Sequence, residues 1–288
     1  MNSRIAFVLR IGVSISALAV ILSRVPVDEV LARAARGTPG YLAAALALSM
    51  LGIVLVALRW RLLAGWLGLA MSMGLAVRAL FLAVFGGQLL PSAIGTDVLR
   101  GWLLARHVRG LSRIVASLMA DRLVALFAAC LLVLLAYGGL LGPAAVAASG
   151  SVLLAFLLGL RRGMDGVTLQ PAILLPAIAL ALVVHASTVA MAALTARAYG
   201  IEASLALWFS IIPLSVIASA IPVSLNGWGV REAVILALGA PMGLPAAEAL
   251  LVSVTLGVLN MIASLPGAVV ILQGRRARLG MIPRPPQQ

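Results

Sequence analysis

Long apolar stretches, each near the roughly twenty residues that a helix needs to cross the hydrocarbon core, recur at about 5–23, 41–58, 77–95, 114–136, 144–160, 171–195, 203–223 and 246–272. This pattern predicts an all-α polytopic integral membrane protein. Arg4 and Arg10 flank the first stretch as in a signal peptide, but Ser23-Arg24-Val25-Pro26 offers no small-x-small cleavage site, so an uncleaved first span is expected. The third and seventh stretches run into breaks, Gln88-Leu89-Leu90-Pro91-Ser92-Ala93-Ile94-Gly95 and Ala220-Ile221-Pro222-Val223-Ser224-Leu225-Asn226-Gly227-Trp228-Gly229, each followed by a short segment able to start a new helix.

Charge placement bears on whether those two stretches cross. With a cytoplasmic N-terminus, and with both stretches as re-entrant hairpins, Arg24, Arg33, Arg36, Arg197 and Arg231 lie outside and Arg122 within a span, while all other arginines fall on the cytoplasmic side. Full crossing by the third stretch would export the arginines from Arg100 to Arg113, against the positive-inside rule. The expectation is about six full spans, two hairpins entering from opposite faces, and both termini in the cytoplasm of a bacterial-type inner membrane.

Aligning the breaks exposes a repeat. Arg100 follows Pro91, and Arg231 follows Pro222, at the same spacing, and Gly68-Leu69 and Gly200-Ile201 precede the two prolines at nearly the same distance. The chain therefore reads as one membrane domain over 1–288, with half one at about 41–136, half two at about 171–272 and a basic cytoplasmic tail at 273–288. Interrupted apolar segments at corresponding places in two halves point to a transporter-like site near the midplane.

Composition sharpens this picture. Of 288 residues 63% are hydrophobic and 10% charged, with a net charge of +13 carried wholly by arginine; a soluble domain is roughly 25% charged. The arginines cluster between apolar stretches rather than interleaving with aromatics on one face, which argues against nucleic acid as a partner. A lone Cys130 inside an apolar stretch rules out a disulfide or zinc framework. Neither a phosphate-binding loop, a zincin motif nor a nucleophile elbow occurs, so no enzyme activity, metal or cofactor is expected.

Broken backbone in lipid must be buried in protein or line a wet cavity, and Gln88, Ser92, Thr96, Ser224 and Asn226 are at hand to satisfy it. Thr96 or Gly95 reads as an N-cap, with Asp97 in the first turn and Arg100 three residues on, close enough to pair. Two helix N-termini in the membrane, each with an early arginine, make an anion site suited to a phosphodiester. The candidate headgroup ligands are Arg100, Arg231, Ser92, Thr96, Ser224 and Asn226; Asp97, Asp121, Arg122 and Glu232 form an intramembrane charge network. Asp121 and Arg122 either pair with Arg100 and Asp97 or contact the headgroup. His185 and Asn260 read as helix-to-helix hydrogen-bonding residues, and Arg59-Trp60-Arg61 as an interfacial anchor.

Leu90-Pro91-Ser92-Ala93-Ile94-Gly95-Thr96-Asp97-Val98-Leu99-Arg100, Ala120-Asp121-Arg122-Leu123 and Ile221-Pro222-Val223-Ser224-Leu225-Asn226-Gly227-Trp228-Gly229-Val230-Arg231-Glu232 together resemble the transmembrane region of lysylphosphatidylglycerol synthases, including its stand-alone flippase-like members. Thr96 stands where many relatives carry Gly. In the fused bacterial proteins, often called multiple peptide resistance factors, this region is implicated in moving aminoacylated phosphatidylglycerol between leaflets while a separate cytoplasmic domain makes the lipid. The resemblance implies the lipid-handling half alone. The expected function is a phospholipid flippase that takes an anionic headgroup into a polar cavity between the hairpins. The alternative is a non-catalytic partner that presents a lipid-linked intermediate to a separate glycosyltransferase or lipid synthase.

Overall fold

The computed structural model describes residues 12, 14–17, 19–23, 25–89, 93–137, 141–163, 170–221, 224 and 227–270. The expected ligands Ser92 and Asn226, the prolines of both breaks and the basic tail lie outside these residues. Within the first apolar stretch, residues 12, 14–17 and 19–22 are helical.

All regular structure among the described residues is helical. A short α1 (Val27–Ala34) is followed by α2 (Pro39–Trp66), α3 (Met73–Leu89), α4 (Ala93–Ala105), α5 (Leu111–Tyr137) and α6 (Leu141–Gly163). Then come α7 (Pro171–Ala198), α8 (Leu205–Ala220), α9 (Val230–Gly239) and α10 (Ala246–Ser264), which resumes after a turn at Leu265 to reach Val270. Among the described residues four helices, α2, α5, α7 and α10, are long and apolar enough to cross a membrane. The chain is thus a multi-pass membrane protein.

Elements recur in one order: long, short, short, long. The first set, α2 to α5, has 28, 17, 13 and 27 residues, and the second, α7 to α10, has 28, 16, 10 and 25. At the centre α2 packs along α7; α3 pairs with α4 against α2 and α5, and α8 pairs with α9 against α7 and α10. Both long openers start with a proline in the first turn, where its missing N–H costs nothing. Both also end alike. Gly68 (φ 76°) and Gly200 (φ 68°) take the left-handed conformation that L side chains resist. Leu69 N–H donates to Ala64 O and Ile201 N–H to Ala196 O, each at 2.9 Å.

Close approach within the first hairpin needs small residues. A Cβ at position 87 would sit 2.5 Å from Thr96 Oγ1, and one at 86 would collide with Leu99. Thr96 is therefore an α4 side chain facing α3. The N-cap reading of Thr96 or Gly95 is corrected here, because α4 already begins at Ala93. The second hairpin is capped differently. Gly229 (φ 85°) precedes α9, and its N–H donates to Glu232 Oε2 at 2.6 Å, so a side chain three residues on satisfies an otherwise orphan donor.

Candidate functional site

Ionic groups in an apolar bundle must find one another, because the surrounding hydrocarbon offers no hydrogen bonds. Three elements of the first half supply such a set. Asp121 of α5 is 2% exposed and lies between two guanidinium groups, accepting from Arg59 Nε at 2.7 Å and from Arg100 Nη1 at 2.8 Å. Arg100, 4% exposed, also donates to Asp97 Oδ1 from Nη2 at 2.6 Å and from Nε at 2.9 Å. Asp97 closes the chain by accepting from Arg122. Trp60 covers the network, with its ring 5.1 Å from the Arg100 guanidinium carbon and its indole N–H donating to Ser117 Oγ at 3.1 Å.

Of the two readings of Asp121 and Arg122, this geometry matches pairing with Arg100 and Asp97. It corrects the interfacial reading of Arg59-Trp60. Trp60 is wholly buried and Arg59 nearly so, because α2 continues to Trp66, past the end of the apolar stretch, and carries both into the bundle. Two carboxylates and three arginines leave the network with one surplus positive charge.

Around the second hairpin the arrangement is sparser. Arg231 donates to Glu232 Oε1 from Nη2 at 2.6 Å and from Nε at 3.1 Å, and Ser253 Oγ donates to the same oxygen at 3.1 Å. Glu232 is completely buried, whereas the Arg231 side chain keeps 16% of its surface, with Nη1 unpartnered among the described residues. Its guanidinium carbon lies 4.9 Å from the centre of the Trp228 ring. Gly257 on α10 makes room for both, since a Cβ there would fall 2.5 Å from Arg231 Nη2 and 2.6 Å from Trp228 Cη2.

That guanidinium faces open space. One cavity of about 310 Å³ lies among α2, α3, α7 and α10, and its walls include Ser49, Gln88, Thr188, Trp228, Arg231 and Asn260. A second, of about 290 Å³, borders α8 and shares Thr188, Met191, Arg231 and Asn260 as walls. Val216 and Ala220 of that second cavity also line an apolar groove of about 520 Å³ between α5, α7 and α8, at which Arg122 and His185 are the polar side chains.

Predicted ligands thus separate. Arg231 lines both cavities. Arg100 and Asp121 are buried in the network, Thr96 packs against α3, and Ser224 is 2% exposed with its Oγ unpartnered among the described residues. Asn260 accepts from Ser49 Oγ at 2.7 Å, and His185 Nε2 lies 2.9 Å from Ala125 O, both contacts between helices as expected. Ser49, Thr188 and Trp228 were not anticipated as cavity walls. Their one signal in the sequence is that they are isolated polar or aromatic residues in apolar surroundings. Among the described residues no cluster of three metal-ligating side chains occurs.

Fold and site define a multi-pass helical membrane protein with a buried arginine–aspartate network and a separate polar cavity bearing one arginine. The sequence matches the family described as the lysylphosphatidylglycerol synthase TM region, over residues 7–164 and 159–267. The chain belongs to that family, a membrane domain associated with lipid handling. No curated protein matches it.

Proposed function

We propose that the protein is a phospholipid translocator of the plasma membrane. It takes an anionic headgroup into the Arg231 cavities and lets the acyl chains follow the apolar groove. One observation carries this reading: a single guanidinium, its Nη1 unpartnered among the described residues, is a wall of two cavities, and the second of these shares walls with a lipid-compatible groove. Opposite unit charges about 4 Å apart attract by about 4 kcal/mol at an effective dielectric near 20; Glu232 behind Arg231 offsets part of this, which suits a phosphodiester held transiently.

The short paired helices support a hairpin architecture. At 1.5 Å per residue, α3 and α4 extend about 26 and 20 Å, and α8 and α9 about 24 and 15 Å, all short of a hydrocarbon core of about 30 Å. These lengths, together with the arginine distribution, support re-entrant hairpins in two inverted halves with both termini cytoplasmic. Movement is passive or ion-coupled, and no covalent chemistry is involved.

The test is leaflet exchange of a tail-labelled anionic phospholipid in proteoliposomes. Wild type is expected to exceed empty vesicles, Arg231→Ala to fall to the empty-vesicle rate, and Arg231→Lys to retain part of the activity, since charge survives while the two-pronged grip is lost. Equal exchange by Arg231→Ala and wild type would overturn the assignment. Lipid binding without exchange would favour the presenting-partner reading.

A further inference from the structure

Building on the headgroup reading of the Arg231 cavity, we infer that its ligand is a hydroxyl-bearing phosphate ester of net negative charge, and that a headgroup carrying an added ammonium is rejected. Two inventories of the cavity wall lead there.

The first is charge. Arg231 is the sole charged side chain lining the 310 Å³ cavity among the described residues. An ammonium would need a carboxylate, yet the described acids are all elsewhere or occupied. Asp97 and Asp121 are held in the arginine network, Glu29 and Glu248 pair with Arg33, and Asp28 and Glu202 are exposed. Glu232, the nearest, is wholly buried behind Arg231, with Oε1 taken by Arg231 and Ser253 and Oε2 by the Gly229 N–H. A cationic headgroup would therefore meet a guanidinium whose one counter-charge is buried behind it and out of reach, and like charges in a low-dielectric site repel strongly.

The second is hydrogen-bond direction. A hydroxyl has one proton to give. Ser49 gives its proton to Asn260 Oδ1 at 2.7 Å; Ser187 and Thr188 give theirs to Val184 O at 2.8 and 3.0 Å. All three line the cavity and can only accept from a ligand. Donors at the wall include Arg231 Nη1 and the Asn260 carboxamide N–H. A phosphate oxygen fits the donors, and ligand hydroxyls fit the three acceptors. An ammonium also brings donors, but it adds the charge that Arg231 opposes.

The experiment is equilibrium binding to the full chain in nanodiscs, read by native mass spectrometry, with four probes: phosphatidylglycerol, lysyl-phosphatidylglycerol, phosphatidylmethanol and deacylated glycerophosphoglycerol. Phosphatidylglycerol should bind at least about tenfold more tightly than the lysyl ester. It should also bind several-fold more tightly than phosphatidylmethanol, which has the same charge without the hydroxyls. Asn260→Asp is nearly isosteric and sets a carboxylate at the cavity wall; it should erase or reverse the preference over the lysyl ester. Ser187→Asp is a second route to the same charge if Asn260→Asp does not fold. Wild type that binds the lysyl ester as tightly as phosphatidylglycerol would overturn the inference, as would a preference that survives the added carboxylate. Parity with phosphatidylmethanol would overturn its hydroxyl part. Much weaker binding of glycerophosphoglycerol assigns the lipid as the source of this chemistry, and equal binding a soluble phosphate ester. Selective binding without leaflet exchange would leave the inference standing and remove the translocator reading alone.

Discussion

Replacing Asp121 with asparagine keeps the shape of the side chain and removes the one charge that two buried arginines share. In the native network Asp121 Oδ1 and Oδ2 face Arg59 and Arg100 at 2.7 and 2.8 Å, and all three side chains are at most 4% exposed. The substitution would leave Asp97 as the only carboxylate among three arginines. Breaking a buried ion pair by neutralising one partner costs about 3–5 kcal/mol, since the remaining charge stays desolvated. For a chain of this size each kcal/mol moves the midpoint by roughly 2–4 °C, so Asp121→Asn should melt on the order of 10 °C below wild type. Thermal unfolding of the detergent-solubilised protein, followed by fluorescence-detected size exclusion, measures this directly. Pairing Asp121→Asn with Arg59→Met removes the stranded cation and should recover part of the loss, giving a coupling that two independent sites would lack. A single variant within about 2 °C of wild type, or strict additivity in the double variant, would refute the claim that this network holds the first hairpin to α2 and α5.

Three further outcomes follow from the geometry. Gly257→Ala places a methyl on Arg231 Nη2 and Trp228 Cη2; it should lower leaflet exchange several-fold while shifting the melting midpoint far less than Asp121→Asn does. Gly200→Ala forces an L side chain into a left-handed backbone with open space around it, so it should cost about 1–2 kcal/mol from conformation alone, seen as a lowered midpoint with exchange per folded molecule unchanged. Ser49→Ala removes the donor to Asn260 across α2 and α10; hydrogen bonds between membrane helices average about 0.6 kcal/mol, so stability should barely move.

How far the sequence reveals this molecule depends on whether the signal is local. Apolar length located the four long helices, because hydrocarbon thickness imposes that length directly, and the breaks in the third and seventh stretches marked the two pairs of short ones. Asp97 and Arg100 pair as their spacing within one helix requires. The end of α2 was misplaced because a hydropathy reading treats Arg59 and Arg61 as a boundary. A buried arginine neutralised by Asp121 is tolerated inside the bundle, and that partner lies 62 residues away. The short α1, with Asp28 and Glu29 in its first turn, is too brief and polar to register as an apolar stretch. The cavity was hardest to read: Ser49 and Asn260, which meet across it, are 211 residues apart, and each alone looks like an ordinary polar residue in a membrane helix.

The two hairpins differ in a way that assigns them different work. Arg100 reaches an acid 21 residues onward, Asp121, whereas Arg231 reaches Ser253 after 22 residues. Where the first half sets a carboxylate on its closing long helix, the second sets a hydroxyl. Arg100 consequently has two acids, Asp97 and Asp121, and no exposed face, while among the described residues Arg231 has Glu232 alone as an acid and leaves Nη1 unpartnered. A guanidinium saturated by two carboxylates anchors; one held by a single carboxylate from behind stays oriented and can still bind. Ser253→Asp would therefore supply Arg231 with the second acid that Arg100 already has. It should withdraw the guanidinium from the cavity, reducing binding of anionic lipid at little cost in stability. If Ser253→Asp bound anionic lipid as well as wild type does, the difference between the two arginines would have to arise from something other than their counter-charge.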